Sequence, residues 1–318
     1  MSLFEEARAV ARNGRPEDAV AFIERKAAER DPEGNVILAH WHLYGSDRPR
    51  DFAAARHCLE LAAAKSSADA VRILAHLTAS GTGCEPDEAK ALAMLRSVAA
   101  RDAIAANQLA MLPRLMSDEA AAGAAREVLS EDPSIHVVRA LLNAEECAYL
   151  VHRAEPLLKP SLVDDPVRGR GVPDQIRTSH GAAFVPHEAD LVVQAINRRL
   201  AKASGTALDH AEALYVMRYA PGQEYRPHHD ALGGLHQQRA WTAIAYLNEE
   251  YEGGATSFPD LGLTVRLNRG DVLIFANLDS QGRPHSKMLH AGEPVTSGAK
   301  WIATRWIRSG PHDPYDRG

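Results

Sequence analysis

The sequence is short of cysteine, of an excess of either charge and of long apolar runs, and each shortage excludes something. Its three cysteines, Cys58, Cys84 and Cys147, are odd in number and far apart, so they make neither a disulfide framework nor a zinc site. Each reads as a small buried apolar residue, and a reducing, cytoplasmic compartment is expected. Lys and Arg number 36 against 42 Asp and Glu, a formal net charge of -6. That balance offers no basic stripe, and no nucleic-acid partner is expected. No apolar run is long enough to cross a bilayer, and the opening Met1-Ser2-Leu3-Phe4-Glu5-Glu6 lacks the basic and apolar regions of a signal peptide. Neither a membrane span nor export is expected. A length of 318 residues is enough for two modest domains, each with its own core.

What is present changes character along the chain. Up to about residue 130, Ala, Leu, Glu and Arg recur at helical spacing; beyond it Val, Ile, Tyr, Thr and Gly take over in short alternating runs. The change falls near Ser130-Glu131-Asp132-Pro133, which predicts a helical domain over 1–132 and a strand-rich domain over 133–318. The helical part repeats itself. Leu38-Ala39-His40 returns as Leu74-Ala75-His76, Gly45 as Gly81, Asp51 as Asp87 and Ala53 as Ala89, always 36 residues on. Each unit reads as helix, glycine-containing loop, helix, and one such pair cannot bury its apolar stripe without a stacked neighbour. Flanking helices are expected over 3–30 and 102–129. Arrays of this kind bind peptides or proteins; a helical prop for the second domain is the alternative.

The second part opens on a strand-like Ile135-His136-Val137-Val138. A helix follows from Asn143, with Glu146 three residues on as a capping box. Further strands are predicted over 213–219, 240–247, 262–267, 271–276 and 300–308, punctuated by Gly and Pro. Many short strands with few helices between them predict an antiparallel sandwich or barrel. Within it, His228-His229-Asp230 stands out. Residues i and i+2 of a strand share a face, so an extended 226–230 sends His228 and Asp230 inward together and His229 outward. With His290 they make two imidazoles and a carboxylate, the ligand set of a non-haem Fe(II) site with open positions. Lys300 lies ten residues beyond His290, on a face shared with Ile302, Thr304 and Trp306. A buried lysine needs a partner, and a dicarboxylate co-substrate would provide one. For Tyr219, Thr256 and Trp306 the residue pattern alone leaves ordinary core packing open.

These residues sit in segments that resemble a known family. "YAPGQEYRPHHDA" (219–231) and "YEGGATSFPDLGLTVRLNRGDVLIFANLDSQGRPHSKMLHAGEPVTSGAKWIATRWIR" (251–308) are similar to the prolyl 4-hydroxylase branch of the 2-oxoglutarate/Fe(II) dioxygenases. "IRTSHGAAF" (176–184) resembles that branch's Arg-Thr-Ser segment, and the likeness extends over about 133–310. "LAHLTASGTGCEPDEAKALAMLRSVAA" (74–100) resembles the Sel1-like repeats, relatives of the tetratricopeptide repeats. Together the resemblances imply an α+β multidomain protein, Sel1-like helices followed by a double-stranded β-helix, or jelly-roll, dioxygenase domain.

The resemblance implies Fe(II) held by His228, Asp230 and His290, with 2-oxoglutarate and O2 as co-substrates and ascorbate as a further candidate. It implies that Lys300 pairs with the distal carboxylate of 2-oxoglutarate, that Tyr219 and Thr256 adjoin the co-substrate, and that Arg177, Arg239 and Trp306 line the substrate side. His229 and Ala276 stand where the family commonly has aromatic residues. The expected reaction is hydroxylation of a prolyl residue in a peptide or protein that the repeats present, with succinate and CO2 released. Hydroxylation of another side chain, a free amino acid or a small metabolite is the alternative, and a non-catalytic repeat adaptor a third.

Overall fold

The computed structural model describes residues 2–45, 49–117, 125–165, 169–173, 176–231 and 237–315. The chain divides into two compact units. One comprises 1–113 together with 186–194, the other 114–185 together with 195–318.

The first unit is helical and its 36-residue period is written into the backbone. Helices Pro32–Tyr44 and Ala68–Ser80 begin at equivalent N-caps: Asp31 accepts from the amide of Gly34, Ser67 from that of Ala70. They end at equivalent left-handed residues, Gly45 (φ 69°) and Gly81 (φ 75°), whose amides bond back to Trp41 and Leu77. Glycine stands there because the left-handed conformation clashes with a Cβ. The partner helices, Phe52–Ala64 and Glu88–Val98, start at Asp51 and Asp87, each capping the amide three residues on. The Asp51 and Asp87 amides donate to His42 and Thr78, so each hairpin closes with the same bond. Ala39, Leu43, Ala55, Leu59, Ala62, Leu74 and Leu77 fill one core between these helices. Two helices, Leu3–Asn13 and Pro16–Ala28, fill the first flank, and Ala103–Leu115 opens the second; residues 118–124 of the stretch expected to be helical over 102–129 lie outside the described residues. Arg126–Ser130 is instead a strand, antiparallel to Ile135–Val138. Pairing with the neighbouring strand overrides the helix propensity of Arg126, Glu127 and Leu129.

The second unit is built on two antiparallel sheets. The larger runs in the order 126–130, 135–138, 272–276, 239–246, 300–308, 214–219, 180–184, 159–160; the smaller in the order 263–265, 256–258, 290–292, 225–228. Between them lies a core that includes Ile135, Val137, Tyr246, Phe258, Val265, Leu273, Phe275 and Ile302. Two sheets facing each other across one core make the jelly roll. The capping box at Asn143–Glu146 is present. One helix absent from the sequence reading, Leu191–Ser204, follows an Asp190 side chain that accepts from the amide of Val193. Cys58 and Cys147 are buried as expected, while Cys84 is half-buried.

Candidate functional site

His228 closes the strand Tyr225–His228 and faces His290 directly across an antiparallel pair in the smaller sheet. Burial alternates here as side-chain parity requires: His228 is half-buried, His229 exposed and Asp230 buried. The strand stops at His228 and Asp230 lies in a bend, so the alternation outlasts the regular strand.

Hydrogen bonds decide which ring atoms are offered. The Nδ1 atoms of His228 and His290 lie 2.9 and 3.0 Å from the carbonyl oxygens of Arg226 and Met288. A carbonyl only accepts, so each Nδ1 carries the proton and each neutral ring presents its Nε2 lone pair. Both Nε2 atoms point at one carboxylate: His228 Nε2 is 3.6 Å from Asp230 Oδ1, and His290 Nε2 is 3.6 Å from Asp230 Oδ2. One ligand atom from each of the three residues falls within a 4.8 Å cluster that could hold a metal ion. Burial presses the His290 pKa down to about 4, with Asp230 pulling the other way. For Asp230, burial favours the neutral acid, but His290 and His228 overcome it and hold the carboxyl well below the usual range. Phe258 and Phe275 pack on His290 at ring distances of 5.6 and 5.0 Å, and Tyr225 stacks on His228 at 3.4 Å.

Lys300 begins the strand Lys300–Arg308, opposite Tyr219 on the neighbouring strand. It is 3% exposed, and among the described residues no carboxylate forms an ion pair with it. Its Nζ donates to the carbonyl of Gly254 at 2.7 Å and lies over the rings of Tyr246 and Tyr219 at 5.1 and 5.9 Å. Gly254 has φ +63°, and a Cβ there would sit 3.2 Å from Lys300 Cδ, so glycine serves both the turn and the close approach. Burial lowers the Lys300 pKa to about 7, which Glu293 opposes.

A small cleft joins these groups. Tyr219, Thr256, His228, Asp230, His290, Lys300 and Trp306 all line it. Thr256 Oγ1 and Tyr246 Oη share a hydrogen bond of 2.7 Å. Arg177 and Arg239 lie behind the lining. Arg177 is stacked on Tyr215, Tyr225 and Trp306 at 4.9, 5.1 and 5.6 Å. Arg239 lies over Trp306 at 4.3 Å and makes a two-bonded ion pair with Glu212, at 2.6 and 2.8 Å. Sequence reading missed Glu212, Tyr225 and a further pair, Thr242 and Asn277, that reaches Asp230. Thr242 lies in an apolar alternating strand and Asn277 just after one, so neither carries a local signal.

The 2OG-Fe(II) oxygenase superfamily model matches residues 214–308. Prolyl 4-hydroxylase 1 of Arabidopsis thaliana is 35% identical over 201 residues, covering 57% of this chain and 71% of that protein. Among solved structures, the viral collagen prolyl hydroxylase of Paramecium Bursaria Chlorella virus-1, in its 2OG complex, is 28% identical and covers 55% of this chain and 96% of its own, at a TM-score of 0.45. A Sel1 repeat protein from Oxalobacter formigenes is 20% identical and covers 34% of this chain and 84% of its own, at a TM-score of 0.31. With 35% identity to a relative over an alignment that covers 71% of that relative's length, and the superfamily match across the strands that bear the cleft, the chain belongs to the prolyl 4-hydroxylase family of 2-oxoglutarate- and Fe(II)-dependent dioxygenases.

Proposed function

We propose that His228, Asp230 and His290 hold the Fe(II), that Lys300 binds the distal carboxylate of 2-oxoglutarate, and that the substrate is a prolyl residue in a peptide or protein. The observation that carries this reading is the convergence of two Nε2 lone pairs on one carboxylate. Three acceptors aimed at one point repel unless a cation lies among them, and two imidazoles with a carboxylate suit Fe(II). Lys300, buried without an ionic partner among the described residues, fits a dicarboxylate in the same way. When bound, Fe(II) with 2-oxoglutarate supplies an oxidative decarboxylation by O2 that yields succinate, CO2 and a hydroxylated substrate.

The residues of the chain do the rest. The backbone carbonyls of Arg226 and Met288 keep both imidazoles in the tautomer that can coordinate. Lys300, with Tyr219 and Thr256 beside it in the cleft, orients the co-substrate. Met217, Ile244, Ile302 and Trp306 form an apolar wall suited to a pyrrolidine ring. Arg239 and Arg177 press on Trp306 and hold it in place. The helical hairpins are read as the element that binds the rest of the peptide, because repeat arrays offer extended surfaces. A reducing, cytoplasmic setting is consistent with three free cysteines.

The test is succinate formation by the full chain on an array of proline-containing peptides, with mass spectrometry for a one-oxygen gain at proline. His228→Ala and Asp230→Ala are expected to abolish succinate while the fold is retained. Unchanged turnover in both variants sinks the ligand assignment. Oxygen gained only at residues other than proline sinks the substrate assignment.

A further inference from the structure

Asp230 is held from outside the ligand set. Its Oδ2 accepts a 2.6 Å hydrogen bond from the Thr242 hydroxyl, and Thr242 Oγ1 in turn accepts from Asn277 Nδ2 at 2.8 Å. Asp230, Thr242 and Asn277 are 3%, 0% and 1% exposed, so water does not replace either bond. The direction of the chain is forced. A carboxylate only accepts, so the hydroxyl proton must point at Asp230, leaving a hydroxyl lone pair that only the amide NH2 can fill. Asn277 thereby fixes the Thr242 proton, and Thr242 fixes Asp230. Among the described residues the Oδ1 of Asn277 has no hydrogen-bond partner, and the bond to Thr242 orients the amide side chain.

Topology makes this tie more than local. His228 and His290 belong to the smaller sheet, whereas Thr242 sits mid-strand in the larger one, flanked by Phe275 and Trp306 on its two neighbours. Asp230 follows the smaller sheet's strand in a bend, outside the regular strand pairing. The hydrogen bond to Thr242 is what anchors its carboxylate to the larger sheet.

We infer that Thr242 and Asn277 are positioning residues for the metal site: Asn277 fixes the Thr242 hydroxyl, and Thr242 holds the Asp230 carboxylate in the orientation in which it faces both imidazole Nε2 atoms. This rests on the reading of His228, Asp230 and His290 as the iron ligands. Outer partners of metal ligands commonly change metal affinity by about tenfold to a hundredfold when removed.

The experiment is titration of the metal-free full-length protein with Mn(II), following the electron paramagnetic resonance signal of the free ion, so the readout does not depend on turnover. Thr242→Val keeps the side-chain shape and removes the hydroxyl; it is expected to raise the Mn(II) dissociation constant by about tenfold to a hundredfold. Thr242→Ser restores the donor and is expected to bind within about threefold of the original protein. Asn277→Leu leaves the hydroxyl but frees its proton, and is expected to weaken binding by several fold. Unchanged binding in Thr242→Val, or in Asn277→Leu if Thr242→Val does not fold, overturns the inference while Asp230→Ala still abolishes binding. If Asp230→Ala also binds normally, the ligand assignment fails and the inference goes with it.

Discussion

Lys300 shows at the scale of one residue how burial becomes function. Its ammonium is desolvated without an ionic partner among the described residues, and its pKa falls to about 7. A dicarboxylate binds the charged form, so 2-oxoglutarate affinity should be full below pH 7 and fall as pH rises through it, by up to about tenfold per pH unit. Stability runs the other way. The unfolded chain holds this proton up to the ordinary lysine pKa of 10.5, so the lysine's contribution to stability rises with pH from about 7 toward that value. Isothermal titration at pH 6.5 and 8.5 checks the first trend, and Lys300→Met should flatten both. Lys300→Ala should weaken 2-oxoglutarate binding by about ten- to a hundredfold, the worth of a charge-assisted contact of roughly 1.5–3 kcal/mol. Lys300→Arg should recover only part, because a planar fork differs in reach from an ammonium. Normal 2-oxoglutarate binding in Lys300→Ala would show that the pocket is assigned wrongly.

Single elements carry their own predictions. The Asp51 and Asp87 caps hold equivalent helices in the two repeats. Each Asp→Ala change should cost about 1 kcal/mol of helical-unit stability, read by chemical denaturation. Gly81→Ala should cost at least as much, since a Cβ is strained at φ +75° and would meet Pro86 Cδ at 3.1 Å. Gly222→Ala is the control for conformation alone: φ is +81° but nothing lies within 4 Å of the added carbon. The long strands Arg239–Tyr246 and Lys300–Arg308 were legible because five or more alternating or apolar residues reveal a period. The short strands Thr256–Phe258 and His290–Gly292 were not, being too short to show one, and Tyr225–His228 entered only through the condition that 226–230 is extended. These are the strands that bear two of the candidate metal ligands, so the elements hardest to see carry most of the chemistry. His228, Asp230 and His290 were found through residue type and spacing.

At the scale of the whole molecule, two units with separate cores should respond differently to ligands. On the proposed ligand assignment Mn(II) with 2-oxoglutarate should bind the folded second unit, and mass action should then stabilise that unit by about 2.7 kcal/mol at a hundredfold excess over the dissociation constant. Differential scanning calorimetry should show the melting of residues 114–185 and 195–318 move upward while the helical transition stays in place. Asp230→Ala should remove the shift. A shift confined to the helical transition would place the ligands elsewhere.

The sequence by itself displayed the helical period, a later half rich in strands, and the candidate residues His228, Asp230, His290 and Lys300. Each of these is a matter of residue type at fixed spacing, which a linear chain displays in full. Tertiary structure alone decided that segment 186–194 joins the helical unit, that Arg177 and Arg239 lie behind Trp306, and that Thr242 and Asn277 reach Asp230. These depend on which strands become neighbours. That choice is made by the burial of a shared core, and the partners it brings together lie 12 and 35 residues apart with no pattern between them.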